Sequence, residues 1–189
     1  MGRWEPDARG RLGQAAMELY AERGFEQTTV AEIAKRAGLT ERTFFRHYAD
    51  KREVLFGGSH VLEDLVVGTV RDAPEGTAPI DAVAAGLDAA ATGIFSDLRD
   101  FARRRQAIIT AHQDLREREL IKLASLSSAL ADTLRGRGVS EPAASLAAEA
   151  GTAVFKVAFE RWVGDGETRD LAAVIKGSLA ELRSVAAGE

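Results

Sequence analysis

Residues 28–51 read TTVAEIAKRAGLTERTFFRHYADK. In the first half Val30, Ile33, Ala34 and Ala37 recur at i, i+3, i+4 and i+7, the spacing of one apolar helical face. Gly38 follows at once and ends that helix, because glycine tolerates a left-handed backbone. Leu39 is an apolar plug in the turn, and Thr40 is a good N-cap for the next helix. That helix, Glu41 to about Tyr48, is too short to be stable alone. Packing must hold it, through Phe44 and Tyr48, which lie four apart on one side. The opposite side turns Arg42, Thr43, Phe45, Arg46 and His47 to solvent. A short, rigid helix with a polar, basic outer side suits a duplex major groove. The stretch is expected to form a helix-turn-helix that binds DNA.

Working outward, the same residues resemble a known family. The run TTVAEIAKRAGLTERTFFRHYADKREVL, 28–55, is similar to the N-terminal region of TetR-family transcriptional regulators. The resemblance rests on Thr28-Thr29 before the first helix, Ile33-Ala34, Ala37-Gly38, Thr40, Thr43-Phe44, and Lys51 followed by a helix. It is close over about residues 8–56 and extends beyond them as a helical layout. Three positions depart from it. Arg42 stands where many members have Gly or Ala. Phe45 replaces a Tyr whose hydroxyl touches phosphate, and Tyr48 stands where Phe is usual. The resemblance implies an all-α fold of about nine helices. A three-helix DNA-binding domain would occupy 1–52, and a helical ligand-binding and dimerisation domain 53–189.

Composition agrees with a helical globular protein. The 189 residues are 46% hydrophobic and 29% charged, with four Pro and no Cys. No apolar run approaches the ~20 residues of a membrane span, and the first residues lack the apolar core of a signal peptide. A cytoplasmic location is the default reading, with no membrane partner and no cofactor. The net charge of −4 divides unevenly. Residues 1–56 carry ten Lys/Arg against nine Asp/Glu, and residues 57–189 fifteen against twenty. Within 35–52, Lys35, Arg36, Arg42, Arg46, Lys51 and Arg52 face only Glu41 and Asp50. That local basic patch is what phosphates would sense, since distant charges are screened.

Taken in order, 1–7 reads as a loose tail. Arg3 and Arg9 near it either reach the backbone or minor groove or stay solvated. A first helix is expected from about Ala8 to Arg23, with Leu12, Ala15, Ala16 and Leu19 inward. Thr28 and Thr29 cap the second helix, meet a phosphate, or do both. Asp50 with Glu53 forms a capping box that opens a fourth helix running to Val70 and turns Lys51 outward as a phosphate anchor. Gly57-Gly58 interrupts this helix or lets it pack closely. The segment 73–79 is the clearest loop. Further helices are expected near 80–95, 98–112, 115–135, 141–163 and 168–185, with Ser140 and Thr168 at the starts of the last two.

The last two helices, joined by a short loop, are antiparallel neighbours. The resemblance implies that such a pair meets its mate as a four-helix bundle in a homodimer. Two recognition helices read two half-sites only when a dimer spaces them by whole turns. Small residues Ala147, Ala148, Gly151 and Ala158 either admit the partner or pack within one subunit. The resemblance also places Phe95, Phe101, Ile108, Ile109, Leu126, Leu130, Phe155, Phe159 and Trp162 around an apolar ligand cavity. His112, or one of Arg103, Arg104 and Arg105, would orient an acidic group on a hydrophobic or acyl-type effector.

Enzyme chemistry lacks its parts. His47, His60 and His112 are scattered, and there is no Cys nucleophile, Gly-rich phosphate loop or nucleophile elbow. The expected function is a homodimeric, ligand-responsive repressor on a palindromic double-stranded operator. Arg42, Thr43, Arg46 and His47 would face bases, while Thr28, Thr29, Thr40, Phe45 and Lys51 would meet the backbone. The alternative is a small-molecule or lipid sensor with a weak DNA head, acting through a protein partner.

Overall fold

A computed structural model describes residues 8–188, so the tail reading that involves Arg3 lies outside the described residues. Among them the chain forms nine α-helices and no strand. The order is α1 (Ala8–Arg23), α2 (Val30–Arg36), α3 (Glu41–His47), α4 (Ser59–Arg71), α5 (Pro79–Gly93), α6 (Arg99–Ala111), α7 (Gln113–Gly136), α8 (Ala143–Val163) and α9 (Leu171–Ala187). A single 3-10 turn, Glu53–Phe56, stands between α3 and α4. The helix expected to open at Asp50 and run to Val70 is two pieces parted at Gly57-Gly58, the first of the two uses open to that pair. None of the described helices is long and apolar enough to cross a membrane.

The helices gather into two compact units. The first runs to Gly58 and also takes Arg104–Arg116; the second takes Ser59–Arg103 and the chain from Glu117 onward. The core of the first unit is built on Leu12, Leu19, Ile33 and Phe44, all essentially closed to solvent. Ile109 and Leu115 complete it from the later segment. Arg105 binds that segment down, its Nε donating to the Leu55 carbonyl at 2.6 Å while its guanidinium lies over the Phe56 ring.

In the second unit α5 packs against α4, α8 and α9. Its buried stripe, Ala82, Val83, Leu87 and Ala90, is matched by Ala144, Ala148, Gly151 and Ala158 of α8. At Gly151 a Cβ would lie only 2.3 Å from Val83 Cγ1, so the α5–α8 approach exists because position 151 has no side chain. Ala147, Ala148, Gly151 and Ala158 are thus spent within one subunit, the second of the two uses open to them.

Two helix starts differ from expectation. Pro142, not Ser140, precedes α8, and the Glu141 carboxylate accepts from Ser145 N at 3.4 Å and Ser145 Oγ at 3.0 Å. Asp170, not Thr168, caps α9 by accepting from Ala173 N at 2.7 Å. Thr168 comes too early because Glu167 organises the preceding turn. That carboxylate accepts from the backbone N–H groups of Thr168 and Arg169 and from the Arg169 guanidinium.

Candidate nucleic-acid interface

The site is assembled from three short pieces of the first unit. Helix α2 opens with a reciprocal cap. Thr29 Oγ1 accepts from Glu32 N at 3.3 Å, and the Glu32 carboxylate accepts from Thr29 N at 3.0 Å and from its hydroxyl at 2.9 Å. Those bonds from Thr29 hold the Glu32 carboxyl below its ordinary pKa, with Arg23 adding to the effect.

Helix α2 ends in a Schellman turn. Gly38 takes φ +67°, its N–H donates to the Lys35 carbonyl at 3.0 Å, and Leu39 N–H donates to the Ala34 carbonyl at 2.8 Å. Arg11 of α1 donates to the Ala37 carbonyl, satisfying another terminal acceptor. Thr40 then caps α3, accepting from Thr43 N at 3.2 Å with the two hydroxyl oxygens 3.0 Å apart.

Helix α3 is oriented by its inner side. Phe44 is fully buried, and Tyr48 packs 5.6 Å from it, centroid to centroid. The Tyr48 hydroxyl donates to the Arg9 carbonyl at 3.2 Å, so the Tyr found there gains a bond that a Phe would lack. Arg9 itself is turned inward, donating to the Gly57 carbonyl at 2.6 Å with its guanidinium over the Tyr48 ring. With 3.6 residues per turn, anchoring 44 and 48 inward drives 42, 45 and 46 outward. Arg42, Phe45 and Arg46 are accordingly exposed, while Thr43 and His47 are half-buried on the shoulder.

The basic patch is smaller than the sequence count. Arg36 forks onto Glu22, with bonds of 2.9 and 2.8 Å, and also meets Glu18 at 3.3 Å. The hydrogen bond from Arg36 lowers the Glu22 carboxyl below its ordinary pKa. Arg52 pairs with Asp50 at 2.7 Å. Burial alone would raise the Asp50 carboxyl, but the bonds from Arg52 and Glu53 N carry it below its usual range. Lys35, Arg42 and Arg46 are cations of the patch not engaged in these internal pairs.

Two residues expected at the DNA backbone are engaged inside the fold instead. Thr28 is 1% exposed and its hydroxyl donates to the Gly24 carbonyl at 2.9 Å. Lys51 turns inward: Nζ donates to the carbonyls of Phe25, Glu26 and Thr28 at 2.8, 3.1 and 3.0 Å. Those three bonds use all three ammonium protons. The carbonyls of the α1–α2 loop, which no helix satisfies, compete successfully for the charge. Asp50 does accept from Glu53 N at 3.1 Å, yet the turn it caps leaves Lys51 reaching the α1–α2 loop.

The residues expected around one ligand cavity separate into two groups. Ile108, Ile109 and His112 belong to the first unit, with Ile109 in its core. His112 Nδ1 lies 2.8 Å from the Ile108 carbonyl, and its ring meets the edge of Phe25. Leu126, Leu130, Phe155, Phe159 and Trp162 are buried in the second unit with Phe95 packed against them. Phe101 is exposed. The rings of Phe95, Phe155, Phe159 and Trp162 form one aromatic cluster with centroid separations of 5.6 to 6.2 Å. Arg103 pairs with Asp165 at the surface, and Arg105 is bound to the Leu55 carbonyl. No three His, Cys, Asp or Glu side chains gather as a metal site among the described residues.

One set went unread in the sequence. On α8, Leu146, Ala150, Ala153 and Val157 form a second apolar stripe opposite the buried one; Leu146 is 65% and Val157 57% exposed. On α9, Ala173, Gly177, Ala180 and Ser184 make a small-residue stripe turned away from its buried Leu171, Val174 and Ile175. Their i, i+4, i+7 and i+11 spacing was present in the sequence, hidden by the equally Ala-rich inner face.

Known proteins match this geometry. Residues 13–56 match the model of bacterial regulatory proteins of the tetR family. The HTH-type transcriptional regulator TcmR of Streptomyces glaucescens is 33% identical over 81 residues, 43% of this chain and 36% of that protein. The HTH-type transcriptional repressor KstR2 of Mycobacterium tuberculosis is 34% identical over 70 residues, 37% of this chain and 35% of that protein. The chain thus spans about a third of the length of the curated relatives it matches. Solved structures extend the likeness along the fold. FadR of Thermus thermophilus, a TetR-family transcriptional repressor in complex with lauroyl-CoA, has a TM-score of 0.58 at 27% identity, over 93% of each chain. SmeT, repressor of the Stenotrophomonas maltophilia multidrug efflux pump SmeDEF, has a TM-score of 0.62 at 18% identity, over 96% of this chain and 90% of that one.

Proposed function

We propose that this chain, which belongs to the TetR family of bacterial regulatory proteins, is a homodimeric repressor that binds a palindromic operator and is released by a hydrophobic small molecule. The observation that carries the reading is α3 itself. Its Phe44 and Tyr48 are locked inward and its Arg42 and Arg46 stand outward without internal ion pairs among the described residues. Arg42 and Arg46 take guanine O6 and N7, the commonest bidentate base contact, with Thr43 and His47 beside them. Thr29 and Thr40 meet the backbone next to the caps they form.

The dimer is formed through α8 and α9. Its support is the pair of exposed stripes: Leu146 and Val157 on α8 supply apolar bulk, and Gly177 of α9 leaves room for a close backbone. A two-fold dimer spaces two α3 helices by whole turns, about 34–36 Å or multiples of it. The effector is an acyl-type molecule admitted at the aromatic cluster of the second unit. Support comes from the apolar character of that cluster and from the likeness to FadR, whose structure holds lauroyl-CoA. Release requires that the effector bind the DNA-incompetent state more tightly.

The test is selection from random duplexes with the purified full chain, then fluorescence-anisotropy titration of the selected and scrambled sequences at two salt concentrations. Selective binding by two protomers is expected. Arg42→Ala is expected to cost about 1–3 kcal/mol and relax one base pair. Equal loss on selected and scrambled duplexes would remove Arg42 from base reading, and failure to select any sequence would overturn the regulator.

A further inference from the structure

Phe45 is anomalous on the outer side of α3. It is 56% exposed, beside two cations, on a surface otherwise made of hydrogen-bonding groups. Lying three residues after Arg42, it is that residue's neighbour on the helix surface. The ring packs on Phe44, 5.5 Å between centroids with planes at 82°, and the rest of it projects from the helix. A phenyl ring has no donor for a phosphate and no acceptor for a base amine. The one apolar group on the major-groove edge of the four bases is the thymine 5-methyl.

We infer that Phe45 reads a thymine 5-methyl group in the operator, beside the bases read by Arg42 and Arg46. The inference rests on the DNA-binding reading above and adds a base that hydrogen bonding does not specify. Burial of that methyl against the ring makes thymine preferred over cytosine, which offers the same groove position without a methyl. In a palindrome the thymine recurs in both half-sites, so the preference is exerted twice.

The experiment uses the full chain and the duplex it selects. Each thymine is replaced in turn by uracil, which deletes the methyl and keeps every hydrogen-bonding group. Wild type is expected to lose about fourfold in affinity per half-site at one symmetric position, the equivalent of one buried methyl-sized group. Phe45→Ala is expected to bind the thymine and uracil duplexes equally. Phe45→Tyr keeps the ring but places a hydroxyl toward the methyl, and is expected to bind more weakly. Circular dichroism checks that both variants keep wild-type helicity, as an exposed position allows. Selective binding that ignores uracil at every position, or Phe45→Tyr tightening all duplexes alike, would put the ring on the sugar-phosphate backbone and overturn this assignment alone. If no duplex is selected, the regulator reading fails and this inference falls with it.

Discussion

The Lys51 ammonium lies 2.8 Å from the Phe25 carbonyl oxygen and 4.6 Å from the centroid of the same residue's ring. One side chain thereby closes the loop between α1 and α2 by hydrogen bonds and a cation–π contact together. Lys51→Ala should destabilise the protein by about 1–3 kcal/mol, because three loop carbonyls lose a hydrogen bond at once. Urea denaturation measures this. The salt dependence of DNA binding should stay at the wild-type slope, since no phosphate contact is lost. A slope smaller by about one would return Lys51 to the DNA.

Gly151 makes a complementary case in the second unit. Alanine is ordinarily the better helix former by ~1 kcal/mol. Here its methyl would collide with Val83, so Gly151→Ala should destabilise by about 1–3 kcal/mol instead. Adding Val83→Ala should recover part of that loss, and the non-additivity of the pair in a denaturation cycle reads the contact directly. Additive effects would mean that α5 and α8 are free to part.

Val157→Glu places a charge in the exposed stripe of α8 and touches none of the buried face. Sedimentation equilibrium should show one chain where wild type shows two, with helicity unchanged by circular dichroism. Operator affinity should fall with it, as the second half-site is no longer delivered. A variant that remains a dimer would move the interface away from α8.

The turn before α9 predicts a pH dependence. Hydrogen bonds from the Arg169 side chain and backbone hold the Glu167 carboxyl at about 2, against an ordinary value of 4.5. A carboxyl whose folded pKa is depressed adds stability that is complete above its unfolded pKa and is lost as the pH falls through the folded one. Glu167→Gln should therefore lower the melting temperature at pH 7, and the gap from wild type should close between about pH 4.5 and 2. A gap that stays constant across that range would show that the carboxylate charge is not what the turn uses.

The helix-turn-helix was legible because its determinants are local. Apolar period, cap residues and a left-handed glycine act within a few residues of one another, so Thr29, Gly38, Thr40 and Phe44 took the roles their order implied. Local sequence also determined the all-helical class and the outward set Arg42, Phe45 and Arg46. Once 44 and 48 turn inward, helical geometry leaves the others no choice.

Only the tertiary structure decided where long side chains spend their charge and which of two apolar faces is covered. Lys51 read as a phosphate anchor and Arg36 as part of the basic patch until distant chain supplied carbonyls and carboxylates at hydrogen-bonding range. Ile109 and Leu115 joined the first core from more than fifty residues beyond its main segment, with nothing in their own spacing to direct them. Helix α8 is Ala-rich on both sides, and α5 chose the one bearing Gly151. Burial and pairing depend on what the rest of the chain brings alongside, and a period repeated on two faces of a helix carries no record of it.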